Sequence, residues 1–228
     1  SITVGNDFTF DFPFKEMFIG PGSYAFDLQG TNRALNAGQG EAINLQGVPG
    51  IIAELEIKGG ILHVNGDINN GESDLPGKIA LGSNSAGVMG GMHVDGLYMQ
   101  HEAGELLIEL NTGRTAPVQI TSSPPLLNGV LELIIDEDYV PQVGHSIPLL
   151  SSEFIDHDTA QFSIVLISDP LPEGLYIKLE YIDSASARDA GGTIYAVVEE
   201  LTNLFGYGDY VNSEGVDGIA TDVVVADI

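Results

Sequence analysis

The sequence predicts an all-β chain wound as a right-handed parallel β-helix, with a hairpin-like closing region and extended strands at both termini. Three observations carry this expectation. Long helices have little room, because Gly (29) and Pro (11) interrupt the chain every few residues. Between them lie short alternating or continuous apolar runs, which read as strands. The chain also repeats itself. Gly104–Leu110 (GELLIEL) and Gly129–Ile135 (GVLELII) lie about 25 residues apart, the length of one solenoid coil. Earlier, Leu62-His63-Val64-Asn65-Gly66 is echoed by Met92-His93-Val94-Asp95-Gly96.

The elements follow in order. In Phe8–Phe14, phenylalanine stands at Phe8, Phe10, Phe12 and Phe14. Period-two alternation places these rings on one face of a strand. Pro13 cannot donate to a ladder, so this is an edge strand, whose aromatic face is covered by its own solenoid or by another subunit. Candidate strands then run from Ala42–Leu45 through Ile51–Ile57, Ile61–Val64, Lys78–Leu81, Met92–Val94, Tyr98–Gln100 and Leu106–Leu110. Val118–Ile120, Val130–Ile135, Ser146–Leu150, Phe162–Ile167, Tyr176–Tyr181 and Thr193–Val198 complete the set. This density of strands without helices excludes a doubly wound α/β fold. It leaves a β-helix or a sandwich, and the repeats favour the helix. In a coil, Leu62, Val64, Met92 and Val94 point inward while His63 and His93 point outward. Prolines gather at Asp169–Leu175, where hairpins are expected to close the open stack of strand edges. The organisation expected is an N-terminal aromatic strand and cap over 1–40, the solenoid over 41–200 and a C-terminal extension over 201–228.

Composition limits the partners. Seven Lys+Arg stand against 33 Asp+Glu, a net charge of -26. Nucleic acid and anionic membrane surfaces need clustered cations and are not expected. No apolar run approaches the roughly 20 residues of a membrane helix. The absence of cysteine removes disulfides and thiolate chemistry together. The chain begins at Ser1 rather than Met, which suggests a processed product.

The stretch Asp95 to Glu200 resembles the closing coils of secreted bacterial parallel β-helix proteins, autotransporter passenger domains among them. Gly96-Leu97-Tyr98-Met99-Gln100 matches a G-x-Y-x-Q strand, and Ala103-Gly104-Glu105-Leu106 an x-G-x-L turn. Asn128–Leu133 resembles x-G-T-L-x-V, and Asp138–Gly144 resembles G-Y-x-P-x-x-G. Ile147–Leu150 is similar to F-x-L-L, and Leu171–Leu175 to L-P-x-G-L. The resemblance implies a solenoid fold and export, and no active site. It does not extend to the aromatic N-terminal segment, and no translocating barrel follows. A shorter likeness lies at Gly218–Ile228, which resembles the entry strand of an integrin-like propeller repeat. There the calcium loop would follow, but the sequence ends at Ile228.

Candidate chemistry is sparse. Asp136, Glu137 and Asp138 form the densest acidic cluster and are the candidate calcium ligands, with a solvated turn as the plainer reading. A glycosidase needs two carboxylates about 5–10 Å apart, which 33 acidic residues cannot specify. β-Helix folds also host polysaccharide lyases, which use a cationic base and calcium. The cations here, Lys15, Arg33, Lys58, Lys78, Arg114, Lys178 and Arg188, are scattered. Among the histidines His63, His93, His101, His145 and His157, only the first two align, and zinc usually takes three or four ligands. No catalytic residues and no cofactor beyond possible calcium are expected.

The functional expectation is a non-enzymatic extracellular or cell-surface structural protein. It would be a solenoid subunit of a layer, appendage or filament, homo-oligomeric or polymeric. Its expected subunit contacts are Phe8, Phe10, Phe12 and Phe14 at one end and Val223 and Val225 in Thr221–Ala226 at the other. The alternative is a carbohydrate-binding or carbohydrate-cleaving β-helix with a polysaccharide partner.

Overall fold

The computed structural model describes residues 2–3, 10–11, 16–28, 33–36, 42–111, 115–121, 124–153, 155, 160–182 and 192–201. These form a parallel β-solenoid. The chain visits three sheets in rotation and then closes with an antiparallel hairpin.

The first coil is β1 (Ile2–Thr3), β2 (Phe10–Asp11) and β3 (Glu16–Ile19). The second is β4 (Gly22–Asp27), β5 (Arg33–Asn36) and β6 (Ala42–Leu45). The third is β7 (Ala53–Lys58), β8 (Gly60–Asn65) and β9 (Asp67–Asn70). The fourth is β10 (Gly77–Gly82), β11 (Gly90–Asp95) and β12 (Tyr98–Gln100). Then come β13 (Gly104–Leu110) and β14 (Val118–Ile120), followed by β15 (Val130–Ile135), β16 (Ser146–Ser152) and β17 (Ile164–Ile167). The hairpin of β18 (Leu175–Ile182) and β19 (Thr193–Glu200) ends the described chain.

The first sheet stacks β1-β4-β7-β10-β13-β15-β17, and the third stacks β3-β6-β9-β12. The second runs β2-β5-β8-β11-β14-β16 in parallel and then accepts β19 and β18 antiparallel. The hairpin therefore covers what would be the open edge of β16, as the proline-rich last third implies.

Register explains the repeats. Glu105 faces Val130 and Leu106 faces Leu131, so the two glycine-led segments are successive rungs. His63 faces His93, with Leu62 against Met92 and Val64 against Val94. The candidate strands between Ala42 and Val198 recur within two residues of their predicted ends, and of Phe8–Phe14 the described part is β2, Phe10–Asp11. The differences are four unpredicted strands, β3, β4, β5 and β9.

Parallel sheets are commonly buried on both faces and read as continuous apolar runs. Here the inner face carries the core, and strands such as β7 and β13 alternate buried and half-buried along their length. In β7, Ala53, Leu55 and Ile57 are buried while Glu54, Glu56 and Lys58 are half-buried. Stacking then builds ladders of like residues: Leu55, Ile79, Leu106 and Leu131 form one, and Ile57, Leu81, Ile108 and Leu133 another. Each such aliphatic side chain contributes about 1.5–3 kcal/mol on burial. The far end of the core is packed by Phe162, Val165, Ile167, Leu171, Leu175 and Tyr181.

The corners need glycine at one ladder in particular. A Cβ on Gly104 would stand 2.3 Å from the Asn70 carbonyl oxygen, and one on Gly129 2.3 Å from that of Gly104. Gly129 also has φ +65, a left-handed conformation that disfavours side chains. The glycines that lead the repeat are thus the places where one coil's backbone touches the next.

Candidate functional site

Three features of this scaffold could carry function: an open strand edge, a cleft, and the polar ladders on the outer faces.

The open edge belongs to β17. It pairs with β15 on one side, through the Ile164 amide to the Gly129 oxygen and the Ser168 amide to the Leu133 oxygen. Among the described residues no strand pairs with its other side. In a parallel ladder successive amides alternate in direction, so those of Val165 and Ile167 face that open side. Ile164 is 46% exposed and Leu166 40% exposed, and both lie on the outward face. At the opposite end of the stack, β1, β2 and β3 each pair on one side, with β4, β5 and β6.

A charged cluster spans β10, β13 and β15, on the paired side of β17. Lys78 bonds Glu105 and lies 2.9 Å from Glu132, and Ser168 donates to Glu132. Burial pushes the Glu132 carboxyl up, but hydrogen bonds with Glu105, Ser168 and Lys78 outweigh it and bring it down to about 2. Burial, with Glu132 alongside, pushes Glu105 up.

The cleft has a volume of about 380 Å³ and lies where β11 meets β14. Gly90 and Gly91 line its floor, and Ile61, Pro117, Gln119 and Pro148 its walls. Gly91 opens it, since a Cβ there would lie 3.0 Å from the Pro117 oxygen. Among the described lining residues the titratable one is Glu109, whose carboxylate already accepts from the Ser83 amide at 2.8 Å and hydroxyl at 2.6 Å.

On the outer face of the second sheet, His63 and His93 are direct neighbours with ring centroids 5.1 Å apart. Gln119 continues their row on β14. Inside, a polar network closes the third corner. Gln100 is 3% exposed, and its amide donates to the Asn128 and Val130 oxygens at 2.8 Å each. It accepts from the Tyr98 hydroxyl at 3.1 Å, and burial pushes that phenol above its usual value. Asn70, fully buried, donates to the Glu105 oxygen at 2.8 Å.

The expected site residues distribute as follows. Phe8, Phe12, Phe14, Val223 and Val225 lie outside the described residues, as does all of Thr221–Ala226. Phe10 begins β2 and pairs with Leu35, in the register of Val64. Asp136, Glu137 and Asp138 form the turn after β15. There Asp136 accepts from the Asp138 amide at 2.8 Å and from the Asn111 side chain at 2.6 Å. Among the described residues no group of three or more His, Asp or Glu side chains is placed to hold a metal ion. No helix among them is long and apolar enough to cross a membrane. Lys58 pairs with Glu56 and Lys178 with Glu199 and Glu180, so these cations sit in outer-face ion pairs.

Sequence reasoning overlooked β17's open edge, Gln100 and the cleft. The edge could not be read from residues alone, because Ile164–Ile167 resembles any other strand. Gln100 was within reach: Tyr98 and Gln100 are inward positions of an alternating strand, so the amide had to be buried. The cleft depends on Gly91 standing opposite Ile61, which only register reveals.

The fold and these surfaces define the class: a parallel β-solenoid closed by a hairpin at one end. No protein-family model matches the chain, and no match was found among curated proteins or solved structures.

Proposed function

We propose that this protein is a non-enzymatic extracellular structural subunit, a β-solenoid that assembles through terminal strand pairing into a surface layer, appendage or filament. The observation that carries this reading is the edge of β17, with amides facing outward and Ile164 and Leu166 exposed beside it. Such an edge is a template for a further strand, and adding one is a recurrent mode of recognition. The strand-like segments Phe8–Phe14 and Thr221–Ala226 are the donors in this reading. The resemblance to secreted β-helix proteins supports export, and the strong negative charge suits a solvated surface structure.

Electron microscopy of the purified protein, with and without calcium, tests it. Ordered filaments or sheets are the expected result, and dispersed monomers at high concentration would refute it. Val165→Pro removes a donor from the open side of β17 while sparing the amides of Ile164 and Ser168. It should block assembly in a protein whose circular dichroism is unchanged. Removal of residues 1–14, which carry β1 and β2, should also block assembly, and unchanged filaments would exclude that segment as donor.

The cleft at Gly90 and Gly91 favours a second reading, a carbohydrate-binding or carbohydrate-cleaving solenoid. Saccharide binding on a glycan array that is lost in Gly91→Val would support it over the structural role.

A further inference from the structure

We propose that His63 and His93 form a chelating site for a borderline transition-metal dication, Zn²⁺, Ni²⁺ or Cu²⁺, on the outer face of the second sheet. The site lies apart from the strand edges and needs neither assembly nor the cleft.

The geometry is that of a two-toothed chelate. The two residues are directly opposed in adjacent parallel strands, so their Cβ atoms project side by side from the same face. Their imidazole centroids are 5.1 Å apart and the rings tilt 45° to each other. A metal bound at 2.0–2.1 Å to each of two nitrogens needs those nitrogens about 3 Å apart. Ring centroids near 5 Å are compatible with this after modest χ rotation, without backbone movement. The strands themselves are held on both sides, β8 by β5 and β11 by β14, so the spacing is fixed before a ligand arrives. That preorganisation separates this pair from two histidines on mobile loops.

The surroundings select the ligand. The neighbours in the same row are Ala34 on β5 and Gln119 on β14, neither charged. Two positions along the strands lie Ile61 and Asn65 on one side and Gly91 and Asp95 on the other. Among the described residues flanking the pair on these strands, Asp95 is the charged one, and its carboxylate already accepts from the Thr121 hydroxyl at 3.3 Å. Neutral imidazole nitrogens without a clustered carboxylate set suit zinc, nickel and copper, and do not suit calcium or magnesium. Burial, and then the His93 charge, pushes His63 below its ordinary value. Water completes the coordination, so bound metal exchanges readily. The surface charge of -26 concentrates dications around the chain.

Isothermal titration of the full chain with Cu²⁺ and with Ni²⁺ tests this, in about 0.15 M salt and excess Ca²⁺ to occupy the carboxylates. One ion should bind per chain. His63→Ala or His93→Ala should weaken binding about tenfold or more, since either change destroys the chelate. The double variant should be little weaker than either single one. Binding should fade as pH falls through the histidine range, because protons compete for the same nitrogens. The electron paramagnetic spectrum of the Cu²⁺ form should report two imidazole nitrogens. These residues sit on the outer face, and circular dichroism is the check that each variant folds. Equal affinity in the wild type and the double variant, or loss of binding in His101→Ala instead, would overturn the proposal.

Discussion

Replacing Gln100 by leucine should cost this protein a large share of its stability. The side chain is almost fully buried at the corner between β12 and β13. Its amide donates to the carbonyls of Asn128 and Val130, one coil further on, and it accepts from the Tyr98 hydroxyl. Leucine has a similar size but can serve none of the three. A buried polar group left without its partner costs roughly 1–3 kcal/mol. The two carbonyls belong to half-buried surroundings that water reaches, so each counts for about half of that range. Greater apolar burial of leucine returns about 1–2 kcal/mol. The net loss is about 1–4 kcal/mol, a sizeable fraction of the 5–15 kcal/mol typical of a domain. In a chain of this length that lowers Tm by roughly 2–15 °C. Urea denaturation of Gln100→Leu, followed by circular dichroism, measures it directly. Gln119→Leu on the outer face is the control and should stay within about 0.5 kcal/mol of the wild type. A Gln100→Leu protein as stable as that control would refute the claim that this amide ties successive coils together.

Three further outcomes follow from the same geometry. Gly129→Val should lose about 2–4 kcal/mol, because a left-handed φ is combined with a Cβ forced against the Gly104 oxygen; a midpoint unchanged in urea would contradict this. Ile108→Ala, at a site 1% exposed between Leu81 and Leu133, should cost about 2–5 kcal/mol by the same assay. Glu132 gives a pH dependence. Its folded pKa of about 2 lies below the ordinary 4.5, so its contribution is complete above 4.5 and lost as pH falls towards 2. Glu105, pushed up, acts with the opposite sign above 4.5. Stability measured from pH 4.5 to 2 should therefore fall less steeply in Glu132→Gln than in the wild type.

The solenoid was legible where side chains alternate and repeat. Leu62-His63-Val64 against Met92-His93-Val94 gave both the inward face and the rung spacing, because a parallel ladder without slippage places like residues on like. The glycine-led segments were legible for the same reason, and their glycines mark backbone contacts that no side chain could fit. What composition concealed was β9. Asp67-Ile68-Asn69-Asn70 looks like a loop, since asparagine and aspartate disfavour strands. Its polar residues are nevertheless paired across coils, Asn69 with Asn44 at 2.5 Å and Asn70 with the Glu105 backbone. Extending the Leu62/Met92 alignment a few residues, so that Ile68 meets Tyr98, would have exposed it. β4 was hidden differently. Its burial pattern has no fully buried position and no alternation, so periodicity there is weak. The surfaces proposed to carry function were less legible than the fold, because an open edge is a property of stacking order, and a cleft opposite Gly91 is a property of register.

The register itself can be tested by cross-linking, and the chain has no cysteine to interfere. Ala80 and Leu107 are directly opposed on the outer face of the first sheet, one coil apart. Adjacent strands bring their Cα atoms to about 5 Å, within the span of a disulfide. A double variant carrying Ala80→Cys and Leu107→Cys should oxidise readily and melt at a higher temperature once oxidised. A second pair, Ala80→Cys with Glu109→Cys, lies about 8 Å apart by the same geometry and should remain reduced. Equal cross-linking of both pairs, or cross-linking of the second alone, would contradict the stacked solenoid on which every other conclusion rests.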